Sequence, residues 1–369
     1  VFNVMDFGAV ADAKTDNGMA FVEAWNQACN WEGTARVVVP QGTYLVSYAV
    51  FQGPCRGPTT FQLNGVIKAT SGLSSINGVS WITFQYLKDF MLVGPGTFDG
   101  QGETAWLLND CSQNSNCKLP VSLRFNFLND STVRHIHSMD SKNFHINILS
   151  CYNLKLKYLR ISAPKDSPNT DGIHIGSSDG IVIRESAIGT GDDCVSLGPG
   201  SKNIYVSKVF CGPGHGISVG SLGKSPYEED VAGLWVRNCT FTGTENGLRI
   251  KTWPDSYEAI ASNFTFEDIV VNNVANPIVI DQEYCPYNSC NRQVPSRVKI
   301  SNVSFNNIRG TSSSKTVVSL VCSKEVPCQN VEIGNINLVY NGIEEGPATS
   351  WCTYVNNLIR TGKQIPATC

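Results

Sequence analysis

The run Asn169-Thr170-Asp171-Gly172-Ile173-His174-Ile175-Gly176 returns in altered form twice. It is met again as Gly191-Asp192-Asp193-Cys194-Val195-Ser196-Leu197-Gly198 and as Gly214-His215-Gly216-Ile217-Ser218-Val219-Gly220. Asp171 and Asp193 are 22 residues apart, and so are Asp193 and His215. Kindred runs start at Asn246, with Gly247-Leu248-Arg249-Ile250-Lys251, and at Asn276, at intervals of 31 and 30 residues. A polar turn and one short strand at a fixed period of this size predict a stacked solenoid. If each repeat is one coil of a right-handed parallel β-helix, equivalent positions stack about 4.8 Å apart. Asp171, Asp193 and His215 then share one column, with Asp192 beside it.

Alternation with period two sets the facing of the strands. Leu248 and Ile250 point inward, so Arg249 and Lys251 point outward, in register with Ser196 and Ser218. The aspartates stand at the turns entering their strands, where parity breaks, so alternation leaves their direction open. Taken singly, each Asp or Gly is an ordinary turn former. Together the four charged motifs predict a site, because like charges stacked about 5 Å apart cost stability unless neutralised or protonated.

The repeat runs through most of the 369 residues, which predicts one all-β domain over 1–369. Charged residues make up 16%, the net charge is −3 and there are 33 glycines, a strand-and-turn composition without the basic face of a nucleic-acid binder. No apolar run reaches the roughly 18 residues of a membrane span. Fourteen cysteines predict an oxidising compartment. Cys111/Cys117, Cys285/Cys290, Cys322/Cys328 and Cys352/Cys369 are spaced for small closed loops rather than for zinc. Cys194 and Cys211 suit a bridge between coils, Cys55 suits one to Cys29, and Cys151 and Cys239 suit buried thiols. Sequons at Asn129, Asn238, Asn263 and Asn302, and a start at Val1 without a leader, read as a mature secreted chain.

Val1 to Gly8 reads as a first strand. After Thr15-Asp16-Asn17, residues Phe21, Ala24, Trp25 and Ala28 recur at helical spacing. A helix here would cover the open end of the solenoid, whose backbone groups are otherwise unpaired. Residues 103–120 read as a loop beside the cleft, and the polar insertion Ser221–Asp230 as one overhanging it. Asn203, Asn238, Asn263 and Asn302 stand near the apolar runs, where they suit left-handed turns or stacked amide ladders.

Clustered aspartates leave three chemistries: calcium binding, general acid–base catalysis, or structure. Arg249 and Lys251 on the same face argue against a metal and for an anionic ligand bearing carboxylates. Crowded carboxylates raise the pKa of at least one of their number, which makes an acid, and an acid and a base flanking one bond hydrolyse a glycoside.

In order and spacing, these motifs resemble glycoside hydrolase family 28, the polygalacturonases, over nearly the whole chain. Gly53-Pro54-Cys55, Ser141-Lys142-Asn143-Phe144-His145-Ile146, Thr252-Trp253-Pro254, Ile280-Asp281-Gln282-Glu283-Tyr284-Cys285-Pro286 and Cys328-Gln329-Asn330-Val331-Glu332 resemble the plant, pollen-type exopolygalacturonases. One departure is Gly8-Ala9-Val10-Ala11-Asp12-Ala13, where the family has Gly-Ala-x-Gly-Asp-Gly.

The resemblance implies a right-handed parallel β-helix that hydrolyses α-1,4-linked galacturonic acid with inversion. Asp192 matches the general acid, and Asp171 and Asp193 the pair that activates water. His215 matches the histidine supporting the acid. Arg249 and Lys251 match holders of substrate carboxylates, Tyr284 lines the same subsites, and Asn169 contacts substrate. Neither cofactor nor metal is implied. The expected partners are polygalacturonate and pectin oligosaccharides, with no nucleic acid or membrane, for an extracellular, wall-directed monomer. Exo action releasing galacturonate and an acidic pH optimum are expected. The rival readings are an endo-polygalacturonase, a calcium-dependent pectate lyase and a non-catalytic pectin-binding wall protein.

Overall fold

A computed structural model describes residues 1–72, 79–110, 117, 119–286 and 288–369. It divides into two units, one of residues 1–174 with 178–192 and one of 175–177 with 193–369. Both are built of parallel strands stacked rung on rung, which makes the fold a right-handed parallel β-helix.

In the first unit each coil visits three stacks. One stack holds Ala35–Val39, Thr59–Leu63, Met91–Val93, Asn129–Arg134, Tyr152–Lys157 and the start of Val182–Gly189. Its inward column is Val37, Phe61, Leu92, Val133, Leu156 and Ile183, every one fully buried. A second stack holds Thr43–Leu45, Val66–Lys68, Thr97–Asp99, His137–Met139 and Arg160–Ser162, with the end of Val182–Gly189. The third holds Ala49–Gln52, Ser80–Gln85, Val121–Asn126 and Ile146–Leu149, and aligns Phe51, Phe84, Phe125 and Ile148. The Phe84 ring lies 4.8 Å from that of Phe51 and 5.8 Å from that of Phe125. A ring enclosed in this way stabilises by about 3–5 kcal/mol relative to alanine.

The expected capping helix spans Gly18–Cys29 and buries Phe21, Ala24, Trp25 and Ala28. Trp25 packs on Phe51, Phe84 and Phe90 and donates its indole N–H to Gln52 O at 3.1 Å. The Asn17 side chain does not cap this helix; it ties the chain to Val10, Thr15 and Leu45. Asp16 Oδ1 instead accepts from Gly18 N at 3.1 Å. The predicted first strand needs correction. Only Phe2–Asn3 is strand, because Asn3 accepts from Met5 N and starts a 3₁₀ turn over Val4–Phe7 that ends on left-handed Gly8.

At the sequence departure, Ala13 takes φ 59°, the left-handed region in which a Cβ is penalised. Asp12 holds it there, accepting from Lys14 N, Thr15 N and Thr15 Oγ1 at 2.8 Å each. Ala13→Gly is therefore expected to stabilise by about 0.5 kcal/mol, roughly 1 kcal/mol of relieved strain less the entropy of a freer unfolded chain. A lower urea midpoint for the variant would refute this.

The second unit stacks Lys202–Cys211, Val231–Arg237, Ala259–Val274, Val298–Ser312, Cys328–Tyr340 and Val355–Ile365 on one side. Val195–Leu197, Ile217–Leu222, Asn246–Thr252, Asn276–Asp281, Thr316–Val321 and Thr349–Thr353 form another stack. Of the four asparagines singled out, Asn203 and Asn238 take the left-handed turn, at φ 52° and 54°, while Asn263 and Asn302 fill both anticipated roles at once, together with Asn330 and Asn357. Asn263, Asn302, Asn330 and Asn357 all have φ between 54° and 62°. Their carboxamides also link into a ladder, with N···O separations of 3.1, 3.0 and 3.3 Å.

Disulfides join Cys29–Cys55, Cys194–Cys211, Cys285–Cys290, Cys322–Cys328 and Cys352–Cys369, while Cys151 and Cys239 are buried thiols. Cys117 is disulfide-bonded, and the expected partner Cys111 lies outside the described residues. Of the predicted loop 103–120, Glu103–Trp106 is a helical turn, and 111–116 and 118 lie outside the described residues.

Candidate active site

The register anticipated from alternation is found in the second unit. Ser196 pairs with Ser218, Ser218 with Arg249, and Arg249 with Val279. These outward residues are nevertheless buried, with Arg249 8% and Lys251 7% exposed. The reason is Asp193. Its Oδ1 accepts from Arg249 Nη2 at 2.9 Å and from Ser218 Oγ at 2.7 Å, and its Oδ2 accepts from Lys251 Nζ at 2.9 Å. Arg249 Nε also donates to Ser218 Oγ at 3.1 Å. Burial opposes the charge on Asp193, but Lys251 and Arg249, with hydrogen bonds from Lys251 and Ser218, outweigh it and hold the carboxyl at about 2. Burial likewise opposes the Lys251 charge, and Asp193 outweighs it, so the ammonium titrates above its ordinary value.

His215 offers a ring nitrogen within 4.8 Å of an Asp193 carboxylate oxygen. Its Nε2 also lies 3.3 Å from Glu245 Oε2. Glu245 and Ser218 were not singled out as site residues by the sequence. The 30-residue step from His215 to Glu245 was the available signal, because Glu245 N donates to Gly214 O one coil back.

Tyr284 faces both cations, 5.9 Å from the Arg249 guanidinium and 5.3 Å from Lys251 Nζ. Trp253 meets Tyr284 edge-on, and Lys224 lies over the Trp253 ring at 5.2 Å. Lys224 comes from the polar insertion, which Glu228 braces by accepting from Gly223 N and Ser225 N. A cavity of about 390 Å³ adjoins, lined by Asp281, Tyr284, Arg292 and Ser319 among others. Burial, the leading cause, pushes the Asp281 carboxyl above its ordinary value.

Asn169, Asp171 and Asp192 belong to the first unit, Asp192 being the chain neighbour of Asp193. Asp171 is 6% exposed and Asp192 half-buried. Asn169 is left-handed at φ 56°, and its Oδ1 accepts from Asn109 Nδ2 at 3.1 Å. The two Asp-bearing turns are laced together: Gly191 N donates to Thr170 Oγ1, and Thr170 Oγ1 to Ser167 O, both at 3.0 Å. A Cβ on Gly191 would stand 2.0 Å from Ser167 O, so only glycine lets the turn before Asp192 come this close.

The Ser141–Ile146 motif serves the fold. Lys142 is buried, donating from Nζ to Thr70 O and Gly100 O at 2.8 and 2.6 Å, and burial brings its pKa down to about 8. His145 is fully enclosed, its Nδ1 2.9 Å from Ser138 Oγ.

The model for glycosyl hydrolases family 28 matches residues 29–364. The chain is 48% identical over 369 residues to an exopolygalacturonase of Platanus acerifolia, covering 100% of this chain and 97% of that one. It is 48% identical over 367 residues to a polygalacturonase of Gossypium hirsutum, covering 99% and 89%. Among solved structures, a hyperthermoactive exopolygalacturonase from Thermotoga maritima shares the fold at TM-score 0.78 and 18% identity, over 98% of this chain and 91% of that one.

Proposed function

The chain belongs to glycosyl hydrolase family 28, and from that membership we infer that it hydrolyses the α-1,4 bonds between galacturonic acid residues in de-esterified pectin. The family match runs through both units and supports reading 1–369 as a single catalytic domain. One observation carries the site assignment. A buried carboxylate, Asp193, is held between Arg249 and Lys251, beside His215 and next in the chain to Asp192.

Asp192 protonates the departing glycosidic oxygen, with His215 supporting it and Glu245 orienting the imidazole. Lys251 and Arg249 hold the Asp193 carboxyl well below the ordinary carboxylate range, so Asp193 paired to both cations is a weak base. A substrate carboxylate drawn to Arg249 and Lys251 shares those charges with Asp193 and makes it more basic. Binding and activation of water are thereby coupled, with Asp171 as the second acceptor. Water attacks opposite the leaving group and inverts the anomeric carbon. Tyr284 packs against the sugar ring and Asn169 donates to it. No cofactor or metal is required by this chemistry.

Exo attack at the non-reducing end is the mode proposed here, supported by the name of the Platanus relative. Early digests of polygalacturonate are expected to contain monogalacturonate while the polymer keeps its length; a ladder of mixed oligomers would refute exo action. Ultraviolet-absorbing unsaturated products would replace hydrolysis by elimination. The disulfides, Cys29–Cys55 and Cys194–Cys211 among them, support secretion into an oxidising wall space, where the enzyme acts as a monomer.

A further inference from the structure

One stack of the first unit carries a file of positive charge. Arg134 pairs with Lys157, and Lys157 with Arg184, in consecutive rungs about 4.8 Å apart. Their strand neighbours Val133, Leu156 and Ile183 are fully buried, so alternation turns the three cations outward. Lys155 lies two residues before Lys157, and Arg160 follows one turn later on the adjoining stack. Arg134, Lys155, Arg160 and Arg184 are exposed and Lys157 is half-buried.

None of the five makes an ion pair among the described residues. Of the acids on the same strands, Asp130 accepts from Asn153 Nδ2 at 2.7 Å, and Glu185 is hydrogen-bonded to the Tyr158 hydroxyl. Tyr158 is half exposed, and its ring stacks on His135 at 4.9 Å. Like charges in register cost stability, yet this chain of net charge −3 gathers five cations here with no ion pair to any of them among the described residues. This stack is not the one joined to the Asp171 turn, whose carbonyl accepts from His145 N at the entry to Ile146–Leu149.

We propose that this file is a second polymer-binding surface, which holds a stretch of de-esterified galacturonan away from the reacting bond. A linear chain with one carboxylate per sugar matches one cation per rung, and the Tyr158–His135 platform offers a ring face for a pyranose. The identity of the ligand rests on the hydrolase reading above; the surface itself rests on charge and register.

The test is the double variant Lys157→Glu/Arg184→Glu, both at accessible positions, compared with the unmodified enzyme. Affinity electrophoresis on polygalacturonate is expected to show binding weakened about tenfold at low ionic strength, with the difference gone at about 1 M salt. Fully methyl-esterified pectin is expected to be retained by neither protein through this surface. Turnover of trigalacturonate should keep its kcat and KM, because neither substituted residue is among the groups assigned to the site. Unchanged polymer binding, a parallel loss on trigalacturonate, or equal retention of esterified pectin would each overturn the proposal. Because binding is read without turnover, a chain that held polygalacturonate through the file yet released no product would unseat the hydrolase reading alone.

Discussion

Asp192→Asn is expected to lower kcat on polygalacturonate by about 10³-fold, with KM and thermal stability near those of the parent. The carboxamide keeps the size and one acceptor of the carboxyl but has no proton to give. The loss should depend on the leaving group. An aryl galacturonide, whose phenolate departs without protonation, should recover most of the rate in the variant, whereas the polymer should not. Release of reducing ends and of phenolate, measured side by side, decides the matter. A loss below tenfold, or an equal loss on both substrates, would remove Asp192 from the role of acid.

Asp193→Asn acts on a different quantity. It leaves the Arg249 guanidinium and the Lys251 ammonium buried without their shared anion, a defect that costs about 3–5 kcal/mol. Activity should vanish with it. The pH dependence gives the sharper reading. In the parent, Asp193 titrates at about 2 in the fold against 3.8 unfolded, so its contribution is complete above 3.8 and is lost as pH falls toward 2. Lys251, raised by Asp193, contributes below its ordinary 10.5 and loses that contribution as pH rises through its folded value. Without Asp193 the buried ammonium is disfavoured, its folded pKa drops below the unfolded one, and stability should rise with pH over the alkaline range. Urea unfolding at pH 8 and pH 10 should show the variant gaining stability across this interval, while the Lys251 contribution in the parent stays level. A variant within 1 kcal/mol of the parent, with the parent's slope, would mean that the three groups are not interlocked.

What could be read from the sequence divides along the same physical line. Strand interiors were legible: alternation aligned Ser196, Ser218 and Arg249 as they are found. Turn side chains were not. Asp193 lies where parity fails, so its double embrace by Arg249 and Lys251 was invisible, and with it the burial of residues expected on an open face. The capping helix, the asparagine ladder and the bridge from Cys29 to Cys55 were legible, because each depends on residue type at a turn or a period. Val1–Gly8 was misread because the Asn3 side chain closes a local turn that competes with strand pairing. The basic file escaped because its members are 23 and 27 residues apart. The even 22-residue beat belongs to one face only, and connections of unequal length scramble it on the others.

That inequality has its own bearing on how such a molecule changes through descent. The overhanging insertion read from Ser221 starts two residues later, because Ser221 and Leu222 complete the strand Ile217–Leu222. Since every rung is bonded only to the rungs above and below, the eight residues 223–230 can be spliced between Leu222 and the next layer at Val231 while Leu222 still finds Thr252. Substrate range is thus free to drift by lengthening or trimming what borders the groove, and the hydrophobic pillar need not be redrawn to accommodate it.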